Sequence, residues 1–336
     1  MEQAPHVDPG GEGSAGGKTR SHPWLARIVG VAALGAVVVA ALHLADLGRL
    51  VALLRGAQPA WLLLALALQL LTYTTEVGVW RSVLSRAGHP RPVVELYALA
   101  VVSLFTNQAL PTAGVAGTVV IVQALKRRGV PMSAALSAML VDLVGYYAGF
   151  GVAVGLSLTV FAVHHELSAI VVGMAAAISL TAIVICGGIL WLSAPGHRVP
   201  AILARVGPLR RAVATLAVAD PALLRSPTLL LLAGLLRFGN FVLDAVTLWA
   251  CFRAVGEAPP VTYVGAAYVL GTIARTLGVV PGGLGTVEGG TLAGLALLGI
   301  AVEPSLAGVL LFRLLSFWLP MVPGLVLSRR FSKSRG

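Results

Sequence analysis

Apolar runs long enough to cross a bilayer recur along almost the whole chain, separated by short stretches that hold most of the charge. They fall at about 24–44, 60–84, 133–163, 168–193, 227–252 and 305–328. A helix needs roughly 20 apolar residues to span a hydrocarbon core of about 30 Å. Water-soluble domains are about 25% charged; here 11% of residues are charged, 57% are hydrophobic, and the mean hydropathy is +0.91. The expected fold class is all-α. It is a polytopic transmembrane helical bundle, because a helix in lipid satisfies its own backbone polar groups.

The organisation follows from what lies between the runs. Residues 1–22 are glycine-rich and polar, with almost nothing to bury, and read as a disordered cytoplasmic tail. The run at 24–44 is too long and starts too late for a cleaved signal peptide, so it is taken as a membrane helix. Residues 46–57 alternate charge with leucine and predict a short surface helix. A single membrane domain is expected over 23–328, interrupted at 195–226 by a proline-punctuated, arginine-bearing amphipathic segment in the cytoplasm. Residues 329–336 form a basic cytoplasmic tail. Cys186 and Cys251 lie in apolar surroundings and read as small core residues rather than a disulfide or metal pair.

Two further apolar stretches are broken in the middle. "LPTAGVAG", Leu110 to Gly117, interrupts one, and "RTLGVVPGGLGTVEGG", Arg275 to Gly290, interrupts the other. Proline lacks a donor and glycine has no side chain, so both breaks should unwind the helix. The expected turn residues are Pro111, Gly114 and Gly117 in the first, and Pro281, Gly282, Gly283 and Gly285 in the second. The arms after each break reach only about 21–24 Å at 1.5 Å per residue, short of the core. Each pair is therefore expected to be a broken or re-entrant hairpin beside about six full spans.

The basic residues orient this arrangement. With a cytoplasmic N-terminus and each hairpin returning to its side of entry, 18 of the 24 lysines and arginines fall inside and 3 outside. The other three lie within apolar runs. That asymmetry is the positive-inside bias, and it accounts for the net charge of +11 without nucleic acid. Both termini are then cytoplasmic, and the two hairpins enter from opposite faces, as in an inverted repeat. In transporters such breaks meet near the midplane and mark the binding site; the plainer alternative is a pair of surface turns.

Charged groups inside the bilayer need partners or water. Arg275 and Glu288 flank the second break, and Arg313 lies in the last span. Arg237, Asn240 and Asp244 share one helix face. Asp142 stands one turn from Tyr146, and Asn107 precedes the first break. These eight, Arg275, Glu288, Arg313, Arg237, Asn240, Asp244, Asn107 and Asp142, are the candidate substrate-binding residues. The residues alone leave two readings for Arg275, Glu288 and Arg313. They gather round one cavity, with the arginines holding a phosphate by charge-assisted bonds, or Glu288 pairs with one arginine to neutralise a buried charge. Glu76 and Arg81 carry less weight, because Arg81 lies near a span end and can snorkel.

Several chemistries lack their signatures. "PGGLGTVEGG" has no Gly-Lys-Ser/Thr ending, so no phosphate-binding loop and no nucleotide are expected. "HHE", His164 to Glu166, reads as a short external loop. No HExxH pair or serine nucleophile elbow occurs. No metal, no cofactor, no catalytic residue and no enzymatic activity are expected.

The chain resembles the lysylphosphatidylglycerol synthase transmembrane region, a family of flippase-like membrane proteins, over about residues 25–330. The likeness rests on "RTLGVVPGGLGTVEGG" followed by "LLGIAVEPSLAGVLLFRLLSFWLPMVPGLVL", and more loosely on "LPTAGVAGTVVIVQALKRRGV". It departs after the first break, where family members carry charge and this chain has "GTVVIV"; Asn107 and Gln108 are the strongly polar groups there. The resemblance implies a multi-pass inner-membrane protein that moves a polar lipid between leaflets. The partner lipid would be an anionic or aminoacylated phospholipid or a polyprenyl-linked lipid. Eight residues follow Ser328, so no aminoacyl-transfer domain is expected and the synthase activity is not carried over. The rival classes are an intramembrane enzyme acting on lipid or polyprenyl phosphate, and a non-catalytic partner of an envelope-synthesis complex.

Overall fold

A computed structural model describes residues 56–109, 115–194, 207–277 and 281–333. The tail at 1–22, the first apolar run, most of 46–57, and the turn residues Pro111 and Gly114 lie outside the described residues. The described chain is helical: α1 (Pro59–Arg86), α2 (Val93–Ala109), α3 (Val115–Arg127), α4 (Met132–Val163), α5 (Ala169–Leu192), α6 (Gly207–Val218), α7 (Pro221–Leu224), α8 (Pro227–Ala254), α9 (Val261–Leu277), a 3-10 turn (Pro281–Gly283), α10 (Thr286–Leu297), α11 (Val302–Arg313), a π-helical turn (Leu314–Trp318) and α12 (Leu319–Lys333). Among the described residues, five stretches are long and apolar enough to span: α1, α4, α5, α8 and Ser305–Arg329. They coincide with five of the six expected spans. The segment at 195–226 does carry short helices, α6 and α7, while α12 runs on through Lys333 into the expected tail.

Helix ends follow local chemistry. Proline occupies the first turn of α1 and of α8, where its missing N–H costs nothing. Ser168 caps α5 by accepting from the Val171 N–H at 3.3 Å.

The second half repeats the first. α1 and α8 each have 28 residues. α2 and α9 each have 17, α3 and α10 have 13 and 12, and α4 has 32. The counterpart of α4 is one rod of 12, 5 and 15 residues, α11 through α12. In this register Thr72, Glu76 and Asn107 correspond to Asn240, Asp244 and Arg275.

Both broken segments are hairpins whose arms pack on each other. Small residues bring the second pair together. A Cβ on Gly290 would meet the Gly271 Cα at 2.9 Å, and one on Gly294 would meet the Ala267 Cα at 2.8 Å. Such close approach suits helices in lipid, where packing and not water drives association.

The hairpins belong to opposite ends of the bundle. One apolar cluster joins α2 and α3 to the end of α1 and the starts of α4 and α8, through Trp80, Leu84, Leu99, Leu125, Val141 and Ala233. The other joins α9, α10 and α11 to the far ends of α4 and α8, through Phe150, Phe241, Leu248, Val264, Leu295 and Phe312. Asp142, Tyr146, Arg237 and Asn240 fall on α4 and α8 between the two clusters. A polar layer therefore lies between two apolar ones, and α1, α4 and α8, packed mutually, carry much of it.

Candidate functional site

The polar layer begins with a charged trio on the three central helices. Arg237 of α8 forms a bidentate pair with Asp142 of α4: Nε donates to Oδ1 at 2.6 Å and Nη2 to Oδ2. The same Nη2 lies 3.4 Å from Oε1 of Glu76 on α1. Glycine makes this reach possible. Gly145 and Gly149 share the Asp142 face of α4; a Cβ on Gly145 would meet Ala233 at 2.6 Å, and one on Gly149 would meet the Arg237 carbonyl carbon at 2.9 Å.

A second set of polar groups lies next to the trio on α1 and α8. Thr75, next to Glu76 in sequence, shares its one hydroxyl hydrogen between the Thr72 carbonyl at 2.7 Å and Asn240 Oδ1 at 3.0 Å. Asn240 Nδ2 donates to Asp244 Oδ2 at 3.0 Å, and the Tyr268 hydroxyl of α9 donates to the same oxygen at 2.8 Å. No lysine or arginine within 4.0 Å pairs with Asp244 among the described residues. Its partners are the amides of Asn240 and Gln69 and the phenol of Tyr268.

The second break lies between two arginines. Gly282, Gly283 and Gly285 have φ of 62°, 67° and 79°, the left-handed region where a Cβ is strained. The Gly282 carbonyl accepts from Arg313 Nη2 at 3.0 Å, while Gly283 rests on the aliphatic stem of Arg275, where any Cβ would collide. Arg313 Nε also donates to Glu288 Oε1 at 2.7 Å, and its guanidinium lies 4.6 Å from the Phe317 ring centroid. Glu288 occupies the first turn of α10, where the helix dipole favours a carboxylate. The pairing of Glu288 with one arginine is thus realised, and that arginine is Arg313.

Arg275 differs from the other two. Its one direct polar contact among those resolved is Nη2 to the Tyr146 hydroxyl at 3.3 Å. The residue is exposed, and Tyr146, Tyr268 and Asp244 act on it electrostatically. Arg313 lies within electrostatic reach of it.

The first break approaches from the other side. Gly117, expected in the turn, instead lies in the first turn of α3, packed against Asn107 and Ser103, and its N–H donates to Asn107 Oδ1 at 2.8 Å, which ties the two arms of the hairpin. α2 packs against the 3-10 turn and against α12. Pro320 cannot donate to Ser316, four residues back, and Gln108 Nε2 reaches that Ser316 carbonyl at 3.5 Å. A π-turn directly after Arg313 accommodates this stretch. The two hairpins therefore meet inside the bundle.

The eight candidates sort into separate jobs. Arg237 and Asp142 bind each other, Arg313 and Glu288 bind each other, Asn240 and Asp244 are hydrogen-bonded, Asn107 ties the arms of its hairpin, and Arg275 has a phenol as its partner. Sequence reasoning undervalued Glu76 by judging it with Arg81. Arg81 is indeed exposed, but Glu76 points inward. Thr75, Tyr146 and Tyr268 as partners, and Gln108 as a bridge, depended on contacts between distant segments. Among the described residues, no group of three His, Cys, Asp or Glu could hold a metal ion.

Known proteins give this arrangement a family. A UPF0104 membrane protein from Methanothermobacter thermautotrophicus is 32% identical over 95 residues, which is 28% of this chain and 27% of that protein. The match thus spans about a quarter of the relative's length. The family described as Lysylphosphatidylglycerol synthase TM region matches residues 25–324, from the first apolar run to the last, both breaks included. The chain is an integral membrane protein belonging to that family.

Proposed function

We propose that this protein is a lipid translocase that passes a phosphate-bearing headgroup between leaflets, through the cleft where the two broken hairpins meet. The observation that carries the reading is Arg275: an exposed guanidinium beside the second break, with a phenol rather than a carboxylate as its partner. A cation left without a carboxylate at that depth suits a passing anion, and guanidinium binds phosphate through paired charge-assisted bonds. Arg313 stands behind the glycine turn, its charge balanced by Glu288, and holds the turn through the Gly282 carbonyl. Asp244, without a cation of its own, lies close enough to interact with Arg275 and would receive an ammonium group if the headgroup has one.

The protein acts as a carrier and not as an enzyme. It sits in the cell membrane with both termini in the cytoplasm, the orientation that the basic loops favour. The test uses purified protein in vesicles containing fluorescent phospholipids, with leaflet exchange read by quenching of the outer leaflet. Arg275→Ala is expected to slow flipping about tenfold or more, the loss of a charge-assisted contact, while Arg275→Lys retains part of it. The labelled lipid should be recovered chemically unchanged. Equal rates for wild type and Arg275→Ala would overturn the assignment, and an altered lipid would point to the enzyme class.

A further inference from the structure

The charged groups of the polar layer do not balance. Among the described residues, that layer holds three guanidiniums, Arg237, Arg275 and Arg313, and four carboxylates, Glu76, Asp142, Asp244 and Glu288. The excess is concentrated at the trio, where one guanidinium faces two carboxylates. Asp142 has both oxygens on Arg237 and is fully engaged. Glu76 has one oxygen at 3.4 Å, and its side chain is 25% accessible against 13% for Asp142. A second full negative charge there, at membrane depth, has no cation to offset it.

The groups that face Glu76 can be named helix by helix. α8 presents Arg237, and Asp244 two turns further along. α4 presents Asp142. α2 presents Tyr97, whose hydroxyl donates to Thr74 at 2.8 Å, while Glu95 at the start of α2 is taken by Arg128. α1 itself presents Tyr73. The π-turn, which also touches α1, has no titratable side chain. Arg237 is the sole cation in this set, and it is shared.

Resting on the translocase reading, we propose that Glu76 is a proton-binding site, opposed to Asp142 across Arg237, and that its protonation is coupled to headgroup movement. The chemistry is a simple exchange. The Glu76 O–H bond forms with a proton from water on one side of the membrane and breaks to release a proton to water on the other; nothing is oxidised or reduced. The route of influence is electrostatic: Asp244, two turns from Arg237 on α8 and held by Asn240 and Tyr268, interacts with Arg275. An anion bound at Arg275 adds negative charge to the layer and so favours the protonated carboxyl. Its departure favours release. Proton and lipid would then travel as a coupled pair, which supplies the driving force for directional transport.

The experiment reconstitutes the full chain in vesicles of phosphatidylethanolamine and phosphatidylglycerol containing fluorescent phosphatidylglycerol, with a pH-sensitive dye trapped inside. Flipping is measured with and without an imposed pH gradient. Wild type is expected to flip severalfold faster with the gradient and to move protons only when it moves lipid. Glu76→Gln should lose both gradient dependence and proton flux, and Glu76→Asp should keep them. Infrared spectra of the purified protein should show a protonated carboxyl band that Glu76→Gln removes and Asp244→Asn leaves. Wild-type flipping that ignores the gradient overturns the coupling and leaves the translocase reading standing. A wild type that moves no lipid overturns the translocase reading and the coupling with it. Absence of the infrared band overturns Glu76 as a proton site whatever the transport result.

Discussion

Arg237 shows what a single charged residue does at this depth. It is buried, holds Asp142 with both carboxylate oxygens, and borrows Glu76 as a second neighbour. The consequences of removing each member are unequal. Without Asp142 the guanidinium can still pair with Glu76, and without Glu76 it keeps its bidentate partner. Without Arg237 two carboxylates are stranded together. Arg237→Leu is therefore expected to lose about 3–5 kcal/mol, the scale of breaking a buried pair, while Glu76→Gln loses about 1 kcal/mol or less, since its single contact is longer than an ideal hydrogen bond. Thermal unfolding in detergent would rank them, and an equal loss in both would refute the asymmetry. Part of this was legible in advance: a charge in an apolar run demands a partner, so Arg237 and Asp142 stood out. Which partner each takes was not, because 95 residues separate the two in sequence, and only the crossing of α4 and α8 joins them.

At the scale of an element, the hairpins turn on glycine in two different ways. In the turn, Gly282 and Gly283 supply left-handed backbone directly over Phe317 and the Arg275 stem. In the arms, Gly271, Gly290 and Gly294 remove side chains where α9 and α10 cross. Gly290→Val should force the arms apart and cost about 1–3 kcal/mol, the usual range for overpacking. Gly289→Ala, one residue away with nothing within 4 Å of its Cβ, should be neutral in the same unfolding assay. The breaks were legible because proline and glycine interrupt apolar runs. Their meeting was not, since it depends on α2 packing against the 3-10 turn and on Gln108 finding the carbonyl that Pro320 leaves open. The π-turn after Arg313 has no signature beyond that proline.

For the whole molecule, the two halves repeat in length and register and their hairpins sit at opposite ends of the bundle, with apolar clusters at each end and polar groups between. The proposed orientation is open to direct test. Single cysteines at His165 and Glu257, in a background lacking Cys186 and Cys251, should react with an impermeant maleimide in intact cells. A cysteine at Gly129 should react only after permeabilisation. The reverse pattern would invert the topology and, with it, the side from which each hairpin enters.

Composition and periodicity by themselves determined that this chain crosses a membrane as helices, where the five described spans lie, and where two of its segments break, because burial in lipid and the loss of a backbone donor act locally on sequence. Tertiary structure decided which charges are satisfied and which is left open. Arg313, Arg237 and Arg275 look alike in sequence, each a lone cation in an apolar run. They differ only because Glu288 and Asp142 are brought within reach of the first two, while a tyrosine stands beside the third.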